Sequence, residues 1–419
     1  MRFLKPIFFV LLGVILWSLL VGYGFLEGYL LRPITSGDTP EAFKEAAQAQ
    51  IDDEFVGNLA LALIEDGAVA QSYFYGANGQ SIDAHSAFPV ASISKWLTSV
   101  GILKLVERGI LDLDQPVDDY LTRWHLPPSN FDNRKVTIRR LLSHSAGLVD
   151  GLGYAGFTAE DFVQSLEESL TQAADAPWSE GVARVGYEPG TEYRYSGASY
   201  ALLQLLIEEV TQLSFQEYMT QEIFEPLGMQ NSSYVLADSA KISLVSVYTA
   251  EGSPRPLCRF TAQAAASLMT STADLSQFML ALQRPSVLLA DTTLAMMSKT
   301  ESYYYGVGIY GLGARLYSQT DKGSNIIGHD GSGNNAINAS ARMDLLSKSG
   351  IIVMETGNYS MASVLADEWV YWKAGVADRV VIELNLPIFI IVGLTGYVLV
   401  ILMAILWVRK SRKQRMALR

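Results

Sequence analysis

The sequence predicts an α+β protein. An antiparallel sheet is flanked by helices, a mostly helical segment is inserted into it, and one apolar helix stands at each end. Three observations carry that expectation. Strand patterns occur early and late in the chain while the stretch between them reads as helical, the order expected when helices are inserted into one sheet. Two uncharged apolar runs, each long enough to cross ~30 Å of hydrocarbon, bracket everything else. The composition, 49% hydrophobic and 18% charged over 419 residues, can bury a core and excludes a disordered chain.

The first apolar run, 6–25, has 20 residues without a charge. It exceeds the ~7–15 apolar residues usual in a signal peptide, and no Ala-x-Ala follows, so it reads as an uncleaved anchor, with Gly22 and Gly24 the only small-residue alternative. Residues 35–41 read as a linker, with Ser36 or Asp38 capping a helix that starts at Pro40. Residues 55–64 and 68–75 around Glu65-Asp66-Gly67 read as a hairpin. Helical patterns follow at 96–108, 137–142, 159–170, 200–211, 215–223 and 272–282. Strand patterns return at 325–328, 336–343 and 350–355, with a turn at 347–350. The second apolar run, 386–408, is followed at once by a basic tail, 409–419. Basic flanks stay in the cytoplasm, so both ends are expected there, with the body, about 42–378, outside. Its helical insertion spans about 92–260. A body of this size passes the ~250–300 residues at which one core usually splits, which predicts two subdomains.

Charge narrows the partners. Eight of the 31 basic residues lie in the first five and last eleven positions, leaving 23 against 43 acidic ones between. A surface that acidic does not suit nucleic acid. The single cysteine, Cys258, permits no internal disulfide, and a body outside the cytoplasm without disulfides fits a bacterial inner membrane, facing the periplasm or the cell exterior. His85, His125, His144 and His329 are scattered, so no metal site and no cofactor are expected. The expected partners are a small-molecule or peptide substrate and the lipid bilayer.

Three motifs could carry chemistry. In Ser92-Ile93-Ser94-Lys95, a helix begins whose interior is almost wholly apolar. Ser92 and Lys95 share one face of it, and burial disfavours a charged ammonium, which would make Lys95 a usable base for the hydroxyl. The helix N-terminus offers N–H groups to an oxyanion. The plain alternative is an N-cap serine and a lysine that snorkels to solvent. Tyr193-Arg194-Tyr195-Ser196-Gly197 places a tyrosine before another buried helix, where it could move a proton or merely pack. Gly328-His329-Asp330-Gly331-Ser332-Gly333 would let a ligand approach a strand edge closely, or is only a glycine turn with a surface histidine. Ser143-His144-Ser145-Ala146-Gly147 lacks the first glycine of a nucleophile elbow and follows a helix. His144 therefore reads as structural, and a hydrolase using Ser145 is the weaker rival. Cys258, beside Arg259, reads as an incidental thiol.

In this order the three motifs resemble the serine β-lactamase and penicillin-binding-protein superfamily, in its branch of class C β-lactamases, D-alanyl-D-alanine peptidases and related esterases. That branch carries Ser-x-x-Lys, Tyr-x-Asn, and Lys-Thr-Gly or His-x-Gly. Here they read Ser92 to Lys95, Tyr195 to Gly197 and His329 to Gly331, with successive motifs starting 103 and 134 residues apart. Stretches 103–117, 136–148, 225–229 and 269–278 are also similar, so the resemblance covers about 45–375. It implies the β-lactamase/transpeptidase-like fold and acyl transfer through an acyl-enzyme. Ser92 matches the nucleophile, Lys95 the base, and Tyr195 the relay to the leaving group. The backbone N–H groups of Ser92 and Ser332 match the oxyanion hole. Gly197, His329, Asp330 and Gly331 would line the substrate site. Two departures matter: Gly197 stands in place of an asparagine amide, and His329 in place of a lysine. They imply a D-amino-acid peptidase or esterase rather than an efficient β-lactamase. Asp330 would add negative charge and disfavour free-carboxylate substrates, or it points away from the site, since neighbouring side chains on a strand face opposite sides. The alternative is a non-catalytic membrane protein that binds cell-wall fragments or a protein partner.

Overall fold

The computed structural model describes residues 4–26, 32–150, 153–284, 286–320, 322–333, 336–358 and 360–417. They divide into two compact units, Ile34–Trp369 and the paired chain ends, Met1–Pro33 with Val370–Arg419.

The larger unit is built on an eight-stranded antiparallel sheet. Its strands are β1 (Asn58–Glu65), β2 (Ala68–Tyr75), β3 (Ser302–Tyr304), β4 (Val307–Tyr310), β5 (Arg315–Gln319), β6 (Asn325–Gly333), β7 (Ile337–Asp344) and β8 (Ser349–Thr356). Their order is β2-β1-β8-β7-β6-β5-β4-β3, so the early hairpin joins the late strands through β1 and β8. The β1–β2 hairpin turns on Asp66 and Gly67, both at positive φ, which a tight two-residue turn requires. Helices used below are α1 (Pro40–Glu54), α2 (Ile93–Glu107), α3 (Gly197–Thr211), α4 (Thr272–Leu282) and α5 (Met361–Ala374).

Period-2 alternation gives the sheet two buried faces. Ala60, Ala62 and Ile64 of β1, Ala339, Ala341 and Met343 of β7, and Ile352 and Met354 of β8 join one core with Trp96, Leu97 and Val100 of α2 and Phe278 of α4. The Trp96 and Phe278 rings meet edge to face at 5.2 Å. The opposite face of β1 and β2 is covered by α1, whose Phe43, Ala47 and Ile51 repeat every fourth residue and are fully buried. On that face α5 meets β7, where Asn338 Nδ2 donates to Ser363 Oγ at 2.9 Å. The residues between β2 and β3 carry most of this unit's helices, joined by long irregular stretches, and they share one contiguous core with the sheet. The expected two subdomains are therefore one body, because α2 and α4 lie directly on the sheet instead of closing a core of their own.

Several boundaries differ from the sequence reading. The cap of α1 is Thr39, whose Oγ1 accepts from Ala42 N, rather than Ser36 or Asp38. Residues 159–165 are irregular, and the helix there is only Leu166–Gln172, opened by a capping box of Ser165 and Glu168. The helix from Phe215 is regular to Met219 and then widens into a π turn. Strands β3, β4 and β5 are short and went unread.

The smaller unit pairs the helices Leu4–Leu26 and Arg379–Ala417. Their apolar stretches, Ile7–Gly24 and Ile388–Lys410, have mean hydropathies of 2.3 and 2.8 and are long and apolar enough to cross a membrane. Ser18 Oγ and Tyr397 OH lie 2.7 Å apart, and Gly396 packs so closely on Trp17 that a methyl would clash.

Glu355 of β8 is fully buried, in register with Asn338 on the α5 side of the sheet. Burial pushes its carboxyl up to about 8, against the opposing pull of backbone N–H groups at residues 360–362. A folded-state value raised above the unfolded one stabilises below the unfolded value and loses that contribution as pH rises through the folded value. Thermal unfolding midpoints are therefore expected to fall between pH 5 and pH 9, and Glu355→Gln to make the curve shallower. Circular dichroism melts across that range check it.

Candidate active site

The first motif sits where the short paired strands Ala87–Pro89 and Met269–Ser271 feed the chain into α2. Ala91 is held at φ 43°, a left-handed position that L-residues rarely adopt. Ser94 fixes it: its Oγ donates to Ala91 O at 2.5 Å and accepts from Leu268 N at 2.9 Å. Ser92 occupies the N-cap position, yet its side chain makes no capping bond. Instead Lys95 Nζ donates to Ser92 Oγ at 3.1 Å and to Ala265 O at 2.7 Å. Lys95 is 1% exposed, so it does not snorkel. Its Nζ lies 4.9 Å from the Tyr195 ring centre and 5.6 Å from that of Tyr200. It forms no ion pair among the described residues.

Tyr195 is held by its neighbours. His144, at φ 55° and fully buried, stacks on the Tyr195 ring with centroids 4.3 Å apart. Tyr193, Tyr200 and Tyr310 pack around the same imidazole. His144 Nδ1 accepts from Ser196 N at 3.1 Å, so the residue after Tyr195 is anchored to it. Burial and the nearby Lys95 hold the imidazole well below its ordinary range, hence neutral. Ser145, the rival nucleophile, has its hydroxyl 3.0 Å from Ser143 Oγ, and the adjacent imidazole is engaged with Ser196.

Strand β6 brings up the third motif. Its pairing with β5 covers only Asn325 to Gly328, so from His329 onward that edge carries no strand among the described residues. A side chain at Gly331 would overlap Val90 O and fall 3.0 Å from Ser92 N, so glycine is what lets the strand lie against the serine turn. His329 is 1% exposed. A carbonyl only accepts, so the 2.5 Å contact with Asp330 O makes Nδ1 the protonated nitrogen. Nε2 then accepts from Tyr310 OH at 2.8 Å. Burial, then Lys95, lower the imidazole to about 3, so it is neutral at any ordinary pH. Ser332 is exposed, beside Gly331.

Asp330 takes the outward of the two orientations open to it. Alternation turns its side chain to the opposite face of the sheet from His329 and Gly331. There it accepts from Ser340 Oγ at 2.5 Å and pairs with Arg342, whose Nη1 reaches Asp367 of α5 at 2.7 Å. Burial alone would raise this carboxyl, but Arg342 and Arg315 hold it below the usual range. It is a structural ion pair rather than a substrate contact, and the expected bias against carboxylate substrates loses its cause.

Gly197 opens α3. Its neighbours are held by Asp150, which accepts from Ser196 Oγ at 2.5 Å and Ala198 N at 2.8 Å, at the positive end of the helix. Burial pushes the Asp150 carboxyl up. Cys258 lies on the wall of a pocket beside Ala91 and Ser332, together with Tyr154 and Phe260. Sequence reading passed over Ser94, Asp150, Tyr154, Tyr200 and Tyr310. Their roles arise from tertiary placement, and for Tyr154, Tyr200 and Tyr310 the density of tyrosines is the one signal the sequence carries. Among the described residues no cluster of three or more His, Cys, Asp or Glu side chains is placed to hold a metal.

The profile of the Beta-lactamase family matches residues 43–375. Protein flp of Staphylococcus aureus (strain N315) is 24% identical over 253 residues, 58% of this chain and 49% of that one. The chain thus spans about half the length of that relative. The octameric penicillin-binding protein homologue from Pyrococcus abyssi is similar in structure, with TM-score 0.65 and 24% identity over 83% of this chain and 76% of that one. A D-stereospecific amidohydrolase from Streptomyces has TM-score 0.62 and 21% identity, covering 81% of this chain and all 100% of the other.

Placement of Asp330 yields a test. Asp330→Asn leaves the fully buried Arg342 with one carboxylate fewer and is expected to cost about 3 kcal/mol in denaturant unfolding. The relative rates on a peptide as free acid and as C-terminal amide should not change. A changed ratio with unchanged stability would return Asp330 to the substrate site.

Proposed function

The chain belongs to the Beta-lactamase family, a family of serine hydrolases, and from that premise we propose that it acts through a Ser92 acyl-enzyme on an amide, peptide or ester. The observation that carries this reading is the buried Lys95 Nζ, 3.1 Å from an Oγ that is free of capping duty. In the proposed reaction Lys95 takes the Ser92 proton as Oγ attacks the carbonyl carbon. The developing oxyanion sits between the backbone N–H groups of Ser92 and Ser332, next to the close approach at Gly331. Tyr195, beside Lys95 Nζ, passes the proton to the leaving group, whose bond to the acyl carbon breaks. Water then enters by the same route in reverse and releases the acid. The uncovered edge of β6 offers main-chain groups to an extended substrate.

A D-aminoacyl peptide or an ester suits the site better than a penicillin. His329, held neutral, supplies no cation for a carboxylate, and Gly197 supplies no side-chain amide. The Streptomyces neighbour, titled a D-stereospecific amidohydrolase, is consistent with that class. The two apolar helices support tethering to a membrane, with both basic-flanked termini in the cytoplasm and the hydrolase body outside.

A fluorophosphonate probe tests the chemistry. Wild type is expected to be labelled, and Ser92→Ala to lose labelling. Lys95→Ala should lower kcat/KM by about 10³-fold or more. Labelling that persists in Ser92→Ala would overturn the assignment, and no labelling at any pH would favour a binding role.

Topology has its own test. Reporter fusions after Asp38 and after Arg419 are expected to give an external and a cytoplasmic signal respectively. An external signal from the second would overturn the orientation.

A further inference from the structure

We propose that Tyr154 forms the wall of an apolar subsite for the acyl half of the substrate, so that the enzyme selects esters and amides with a bulky apolar acyl group. This rests on the serine-hydrolase reading of Ser92.

Residue 197 stands two positions after Tyr195 and has no side chain. A Cβ there would fall 2.7 Å from Tyr154 Cε2 and 3.3 Å from Gly153 Cα. The Tyr154 ring thus lies where a side chain would otherwise project. Gly153, at φ 87°, gives the backbone the turn that delivers the ring. Burial first, then Asp150 and Asp175, push the Tyr154 phenol well above its ordinary range. It stays neutral, and its ring presents an apolar plate.

That plate is one wall of the pocket beside Ala91, the residue before the nucleophile, and Ser332, one of the two proposed oxyanion donors. Leu236, Leu257, Phe260, Met269 and Ile337 supply other walls, and Arg255 is the one charged group among the described lining residues. Ala91 and Ser332 line it, while Tyr195, the proposed relay to the leaving group, does not, and neither do Lys95, His329 or Ser92 itself. The pocket therefore receives the half of the substrate that remains on Ser92. An acyl group with several polar substituents would be stripped of water here with few side-chain partners beyond Arg255 in compensation.

The full-length protein in detergent, assayed on 4-nitrophenyl phenylacetate and 4-nitrophenyl acetate, tests this. Wild type is expected to favour phenylacetate by about 10-fold or more in kcat/KM. Tyr154→Ala should bring the ratio near one, and Tyr154→Phe should keep it. Gly197→Ala pushes a methyl into the ring and should lower the ratio by an independent route, which serves if Tyr154→Ala does not fold. A ratio near one in wild type overturns the subsite, as does a ratio unmoved by both Tyr154→Ala and Gly197→Ala. So does Ser92 labelling with neither ester hydrolysed. Absence of both hydrolysis and labelling overturns the serine-hydrolase reading itself.

Discussion

Lys95 is the constraint around which the body is arranged. A lysine Nζ removed from solvent needs partners, and the structure supplies two oxygens, Ser92 Oγ and Ala265 O, and two ring faces, Tyr195 and Tyr200. Each partner comes from a different part of the chain. Ser92 needs the strained turn at Ala91, Ala265 needs the segment before α4, and the tyrosines need α3 and the loop ahead of it. Removing any of these would leave the lysine in a low-dielectric interior with fewer contacts. The core of the helical region and the chemistry of the site are therefore one arrangement, which explains why the inserted helices share their core with the sheet.

The second constraint is the distance between β6 and the serine turn. Glycine at 331 allows contact that no side chain permits, and the alternation of the strand then decides everything adjacent. His329, two residues away, faces the site and is locked as a neutral tautomer by Asp330 O and Tyr310. Asp330, one residue away, faces α5 and holds Arg342. Two neighbours in sequence thus face opposite layers, one the candidate site and one the outer helix.

Much of this was legible in the sequence. The hairpin around Asp66, the late strands, the buried α2 and the three motifs follow from local periodicity and spacing. Side-chain direction did not follow. Alternation along a strand allowed Asp330 to face the site or to point away from it, and only the register of β6 on β7 assigns its face. Strands β3 to β5 escaped because runs of three to five residues carry too little period to read. The surroundings of Tyr195 escaped for another reason: His144 and Tyr310 reach it from distant segments of the chain, and no local pattern encodes their meeting with Tyr193 and Tyr200.

The register of the sheet also sets the order in which the body can be made. Asn58 bonds Thr356, 298 residues further along the chain. At about 5–20 residues per second, β1 waits roughly 15–60 s for its partner strand to be synthesised. During that interval the hairpin has an open edge and two apolar faces, a form prone to pairing with other chains. Loop closure over such a span is slow and yields little until β8 arrives. The sheet of this body can therefore close only after its last strand has been made.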